Sequence, residues 1–150
     1  MSLISFPAAI KSTLDYRAKL IADGLGLPFL DLDTALIDSE VIESDQPAVC
    51  WEFTGIEESP KDPLWLVAFD IGAMTMADPA QYVSLGVVGA LVDFFHSNMR
   101  IVIRDYTGVN MPVIDLGYLS VHSVGVTPQQ KDKLAGFRFI SVTARASRVA

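Results

Sequence analysis

Leu64 to Asp105 reads LWLVAFDIGAMTMADPAQYVSLGVVGALVDFFHSNMRIVIRD, and its pattern is strand, helix, strand. Trp65, Val67, Phe69 and Ile71 alternate along the first piece, the period of a strand with one face in a core. Asp78 and Pro79 suit the start of a helix: the carboxylate accepts a backbone N–H at the N-cap, and proline has no N–H to waste in the first turn. The helix is expected to run to about Ser97. Leu85, Val88, Leu91, Val92 and Phe95 form the stripe that should face the sheet, with Gly86, Gly89 and Ala90 as a small-residue face beside it. Glycine inside a helix costs about 1 kcal/mol relative to alanine, so the pair implies close backbone approach to a strand or another helix. Tyr82, Val87 and Phe94 make this helix apolar nearly all round. It is expected to be buried in its own fold or against a neighbour. Ile101 and Ile103 then point a second strand at the same core.

The rest of the chain extends this unit in both directions. Residues 4–24 read as an amphipathic helix, with Ile10, Leu14, Arg17, Ala18 and Ile21 at helical spacing and Leu20 and Leu25 widening the stripe. Lys11, Asp15 and Lys19 point outward, and Gly24 and Gly26 suit its end. Leu27 to Pro47 alternates apolar and acidic residues. It lacks the D-x-D-x-D-G spacing of a calcium loop and reads as a long loop or short edge strand. Ala48–Thr54 is a strand, with Val49, Trp51 and Phe53 on one face. Gly55–Pro63 reads as a nine-residue hairpin loop with Glu57, Glu58, Lys61 and Asp62 at its tip. After Arg100–Asp105, YTGVNMP is a turn. Val113–Val126 is a long strand, with Leu119 and Val121 facing one way and Leu116, Tyr118 and His122 the other. TPQQKDKLAG reads as a polar connection with a helical turn from Pro128. Phe137–Ala146 is the last strand, and SRVA a frayed tail. The order α-β-β-α-β-β-β, with strands running in succession, predicts an α+β fold: a mostly antiparallel sheet with an N-terminal and a central helix on one face.

Composition narrows the function classes. The 150 residues suit one domain able to bury a core without staples. Hydrophobic residues make up 51%, which favours either a doubly covered sheet or apolar surface reserved for a partner. The most apolar run, Val83–Phe95, is too short to span a bilayer, and the N-terminus has no basic, apolar or cleavage region of a signal peptide. No membrane association is expected, and the protein should stay in the cytosol or be assembled there. The net charge of −7 argues against general nucleic-acid binding, since phosphate contact requires cationic surface. The charge is also polar along the chain. Asp31 to Asp62 holds ten acids against one base, while Arg100 to the end holds seven bases against three acids. Such an acidic front and basic back suit head-to-tail association of copies.

The residues that could carry chemistry are few. Cys50 is the single cysteine and lies in an apolar strand pattern, as a core or interface residue would. His96 ends a helix, where the dipole favours imidazolium, and His122 lies within a strand. Neither histidine has a partner at metal-ligand spacing. A Cys50–His nucleophile is disfavoured by the apolar setting of Cys50. No phosphate-loop, dinucleotide or nucleophile-elbow motif is present. Asp70 alternates away from Trp65, Val67 and Phe69, as a solvated or interfacial carboxylate would. No catalytic residue, cofactor or metal site is assigned.

One resemblance covers residues 5 to about 146. A helix, a strand pair with a polar loop, a strand ending near FDIGAMTMADPAQY, an apolar helix ending LVDFF, and three closing strands together resemble the tail-terminator (tail-completion) and neck proteins of long-tailed bacteriophages. The match is in element order, length and the strand–Asp-Pro–helix transition, and no site residue is carried over from it. It implies a virion structural protein, not an enzyme. Such a protein forms a ring, commonly a hexamer, that caps the tail tube and meets the head–tail connector, assembled in the host cytoplasm. Subunit or partner contacts are then expected at Glu57, Glu58, Lys61 and Asp62 in the hairpin loop, and at Arg138, Arg145 and Arg148 on the last strand. Another neck or minor tail component, a small ligand-binding domain and an enzyme are the alternatives.

Overall fold

The structure, a computed structural model, describes residues 5–33, 47–60, 64–76, 81–96, 98–106, 115–128, 130–132 and 135–148. Helix α1 spans Phe6–Leu25. The strands are β1 Phe29–Asp31, β2 Ala48–Glu58, β3 Trp65–Met76, β4 Arg100–Arg104, β5 Asp115–Val126, β6 Gln130–Asp132 and β7 Ala135–Arg148, and helix α2 spans Tyr82–Val92 between β3 and β4. One sheet runs β1-β2-β3-β7-β5-β4, with β6 paired to β7. Every pairing is antiparallel except β1 with β2. The expected α+β class and the order of its main elements are therefore found.

Alternation decides which side chains are covered. Val49, Trp51, Val67, Phe69, Ile71, Leu119, Val121, Ile140, Val142 and Ala144 share one sheet face and a single buried cluster with both helices. Trp51 and Phe95 flank Phe69, with ring centroids 5.1 and 5.3 Å from it. A smaller cluster of Leu30, Ala48, Cys50, Met74, Phe137 and Phe139 lies on the opposite face toward one end.

α1 starts where its caps allow. The Ser5 hydroxyl accepts the Ala8 N–H at 3.3 Å, Pro7 sits in the first turn, and Gly26 ends the helix at φ 68°. Lys11–Asp15 and Lys19–Asp23 pair along the outer side at 2.9 and 3.0 Å. Leu20 does not widen the buried stripe; it is exposed. Asp15 also accepts the Trp51 indole N–H at 2.6 Å, tying the helix to β2.

Several boundaries differ from expectation. β2 runs through Gly55 to Glu58, because a bulge at Thr54 absorbs the glycine without ending the ladder: Phe53 pairs with Phe69 and Gly55 with Ala68. The hairpin closes by the Ser59 N–H donating to the Leu64 carbonyl at 2.9 Å. Glu57 and Glu58 are thus strand residues opposite Leu66 and Trp65 rather than loop-tip residues, while Lys61 and Asp62 lie outside the described residues. The residue before α2 is Gln81, at φ 64°; Asp78 and Pro79 lie outside the described residues. α2 ends at Val92, short of Ser97. The connection after Pro128 contains a strand, β6, pairing Gln130 with Phe137. β7 begins at Ala135 and continues to Arg148, which pairs with Gly117, so Ser147 and Arg148 are laddered and not frayed. The turn from Tyr106 to Pro112 lies largely outside the described residues.

Candidate functional site

Among the described residues, two exposed faces stand out once the core is assigned. The first is the sheet face away from the helices, which cross-strand register resolves into rows. Glu57, Leu66, Arg145, Ser120 and Arg100 form one row across five strands. Gly55, Ala68, Thr143 and Ser123 form the next, and Glu52, Asp70, Ser141 and Gly125 the third. Acids therefore sit on β2 and β3, and arginines on β7 and β4. The charge polarity along the chain becomes a polarity across this face. A hollow of about 440 Å³ opens in it, lined by Ile56, Glu57, Leu66, Ala68, His122 and Arg145 among others. Bulges border it on both sides: Thr54 on β2, and His122 on β5, where Val121 pairs with Ala144 and Ser123 with Thr143. Each extra residue bends its strand and increases the local twist, which hollows the sheet between them. Asp70 lies on the face opposite Val67 and Phe69, as expected, where it is half-buried and accepts the Ser141 hydroxyl at 2.8 Å.

The second surface is the outer side of α2. Tyr82 is 80% exposed, Val83 46% and Leu85 45%. Ser84, Val88 and Leu91 are the residues this helix buries, with Phe95 just beyond it. Leu85 therefore does not belong to the stripe facing the sheet. Among the described residues, Gly86 and Gly89 are not in close approach to any strand or helix, because a Cβ at either would meet nothing within 4 Å. Their helical cost has no return within that packing.

The nominated contact residues divide. Glu57 and Arg145 both line the hollow, two strands apart, or about 10 Å by strand spacing. Glu58 lies at the end of β2. Arg138 points to the helix side, where it bonds the Gln81 side-chain oxygen and donates to the Thr127 carbonyl at 3.3 Å, anchoring the start of α2. Arg148 lies 5.1 Å from the Phe6 ring centroid at the start of α1. These two arginines serve intrachain packing and do not share a surface with Arg145. β7 is central in the sheet, so its backbone edges are occupied and cannot be a contact edge.

Cys50 is fully buried among Ala48, Met74, Phe137 and Phe139, and burial pushes its thiol well above the usual cysteine range. His96 and His122 are exposed. Among the described residues no three His, Cys, Asp or Glu side chains are grouped to hold a metal ion, and no helix is long and apolar enough to cross a membrane.

No family model matches the chain, and no curated protein does. It is similar to a solved structure of nearly equal extent, covering 95% of this chain and 96% of that one, at 10% identity and a TM-score of 0.59. That likeness is one of fold.

Proposed function

We propose that the chain is a structural subunit of a bacteriophage virion. It resembles tail-terminator proteins and would form a ring that caps the tail tube and joins it to the head–tail connector. The observation that carries this reading is the outer side of α2, where the side chains of Tyr82 and Leu85 are exposed to solvent beside two glycines. A contiguous apolar helix face without charge is the composition of a subunit interface. The glycines would let the backbone of a second copy approach closely. The charge polarity of the open sheet face supports two unlike ring faces.

Light scattering after gel filtration tests it. A discrete species, expected at six times the 16.3 kDa subunit mass, should persist at high salt because the contact is apolar. Leu85→Asp should reduce it to monomer while leaving circular dichroism unchanged. Electron microscopy should place the protein at the ends of tubes of the same virus's tail tube protein. A monomer at every concentration, with no binding to tube ends, would overturn the proposal. The hollow around His122 and Arg145 favours a second reading, a small ligand-binding domain. That reading predicts a monomer whose thermal stability rises with a bound small molecule.

A further inference from the structure

β4 is the outer strand at one end of the sheet, and its free edge is only partly closed. Ile101 and Ile103 ladder with β5, and the Met99 carbonyl accepts the Val121 N–H at 2.8 Å. Arg104 turns its backbone outward instead. There the Thr13 hydroxyl accepts its N–H at 2.9 Å and lies 2.8 Å from its carbonyl. The Ser12 hydroxyl accepts the Tyr106 N–H at 3.2 Å. Backbone groups alternate sides along a strand, so Arg100 and Val102 present theirs on the same outer edge as Arg104. The two hydroxyls close the Arg104 end, and among the described residues the outward backbone groups of Arg100 and Val102 have no partner. Such an edge is a template for another strand.

The walls of this edge are specific. A groove of about 330 Å³ runs between α1 and β4, with Tyr16, Arg17 and Leu20 on one side and Arg100 and Val102 on the other. Tyr16 stacks on Tyr106 at 4.1 Å between ring centroids, closing the same end that Thr13 seals. Arg104 is paired with Asp115 at 2.7 Å, but among the described residues neither Arg17 nor Arg100 has a carboxylate partner. Arg100 lies 4.2 Å from the Tyr118 ring centroid, and Arg17 lies 5.6 Å from that of Phe95 with its Nε buried and unbonded. The Arg17 Nη2 reaches only the Phe94 carbonyl, at 3.4 Å, and the Met99 sulfur, so among the described residues two guanidinium groups without a carboxylate partner stand beside one strand edge of a chain of net charge −7.

We propose that the β4 edge receives an extended, acid-bearing segment of a partner chain as an added strand. Its backbone would bond Arg100 and Val102. Its carboxylates would meet Arg17 on the helix side and Arg100 on the open side, and its apolar side chains Leu20 and Val102. Main-chain bonds supply the affinity of such strand addition and the flanking side chains its selectivity. This goes beyond the ring reading and holds whether or not the chain forms a ring.

The probe is a fluorescent, end-blocked peptide of about eight residues in which pairs of glutamates alternate with pairs of valines, so that each face of the added strand carries both side chains. Anisotropy titration of the full-length protein should show binding at low salt. Methylating alternate backbone nitrogens of the peptide keeps its charge but removes its ladder, and should weaken binding about tenfold or more. Arg100→Glu should weaken it similarly, with circular dichroism unchanged because Arg100 is exposed. The Val102 amide should exchange at least about tenfold more slowly when the peptide is saturating. Equal binding of the methylated peptide, equal binding of a lysine–valine analogue, displacement by oligothymidylate, or no binding of the acidic peptide would each overturn the proposal.

Discussion

Thr13→Val tests how α1 is held to the sheet. Valine keeps the shape of threonine and removes only the hydroxyl. In the native protein that oxygen lies 2.9 Å from the Ala9 carbonyl and 2.8 Å from the Arg104 carbonyl, and accepts the Arg104 N–H at 2.9 Å. Thr13 is buried, so water cannot replace it. The Ser12 hydroxyl stands 3.2 Å from the Arg104 carbonyl and can take over that bond, but among the described residues Thr13 is the acceptor that the Arg104 N–H has. A buried donor left unsatisfied costs about 1–3 kcal/mol, so the expected loss is about 2 kcal/mol. At this chain length that lowers Tm by about 4–8 °C. Ser12→Ala should cost about 1 kcal/mol alone. The double variant should be non-additive by about 0.5 kcal/mol or more, because both hydroxyls serve one carbonyl. Urea denaturation followed by the buried Trp51 reads the stabilities, and hydrogen exchange should show the Arg104 amide losing protection. A Thr13→Val protein within about 0.5 kcal/mol of the parent, with Arg104 still protected, would refute the reasoning.

Three further outcomes follow from the packing. Gly72→Ala should destabilise by about 3 kcal/mol or abolish folding, since the new Cβ would lie 2.7 Å from the Phe139 Cα and closer still to the Arg138 carbonyl, backbone that cannot yield; a urea midpoint equal to the parent's would contradict it. Leu91→Ala should cost about 2–5 kcal/mol in a two-state urea melt. Leu85→Ala, measured below the concentration at which copies associate, should cost less than about 1 kcal/mol; equal costs would mean the buried side of α2 is wrongly assigned. Cys50 should not react with a thiol reagent at pH 8 in the native protein and should react fully in urea; rapid native labelling would show that β2 opens there.

The parts of the fold legible in the sequence were those whose side chains alternate against a single core. Trp65, Val67, Phe69 and Ile71 are inward as expected, as are Leu119 and Val121, because period-two patterning follows directly from the pleat. What alternation cannot show is where a ladder stops. Gly55 looked like the start of a loop, yet a bulge at Thr54 carries β2 three residues past it. Strand order was also invisible. β3 and β7 pair across some seventy residues of chain, which local pattern does not encode, and that pairing places β7 centrally; the turning of Arg138 and Arg148 away from Arg145 is simple alternation along β7. The groove on β4 had one signal: Arg17 stands among Ile10, Leu14, Ala18 and Ile21 on the apolar side of α1, where a cation needs a reason.

α2 shows why an exposed apolar face is harder to read from sequence than the core. Amphipathicity reveals a helix face only by contrast, and Tyr82 to Val92 offers almost none: beyond the Tyr82 hydroxyl its polar side chain is Ser84, which is buried and donates to the Gln81 carbonyl at 3.2 Å. Leu85 and Leu91 are chemically identical, yet one is 45% exposed and the other fully buried. The glycines resolve the ambiguity once the fold is known. Had they served close packing on the sheet, a Cβ at Gly86 or Gly89 would strike β3 or β7, as it would at Gly72; instead it meets open space. Two glycines on the outward side cost helix stability without improving intrachain packing. The same residues on a face that meets another backbone would permit an approach alanine would hinder. Under the proposed assembly, the outward glycines of α2 would gain a contact that offsets a helical cost for which the described packing of its own fold gives no return.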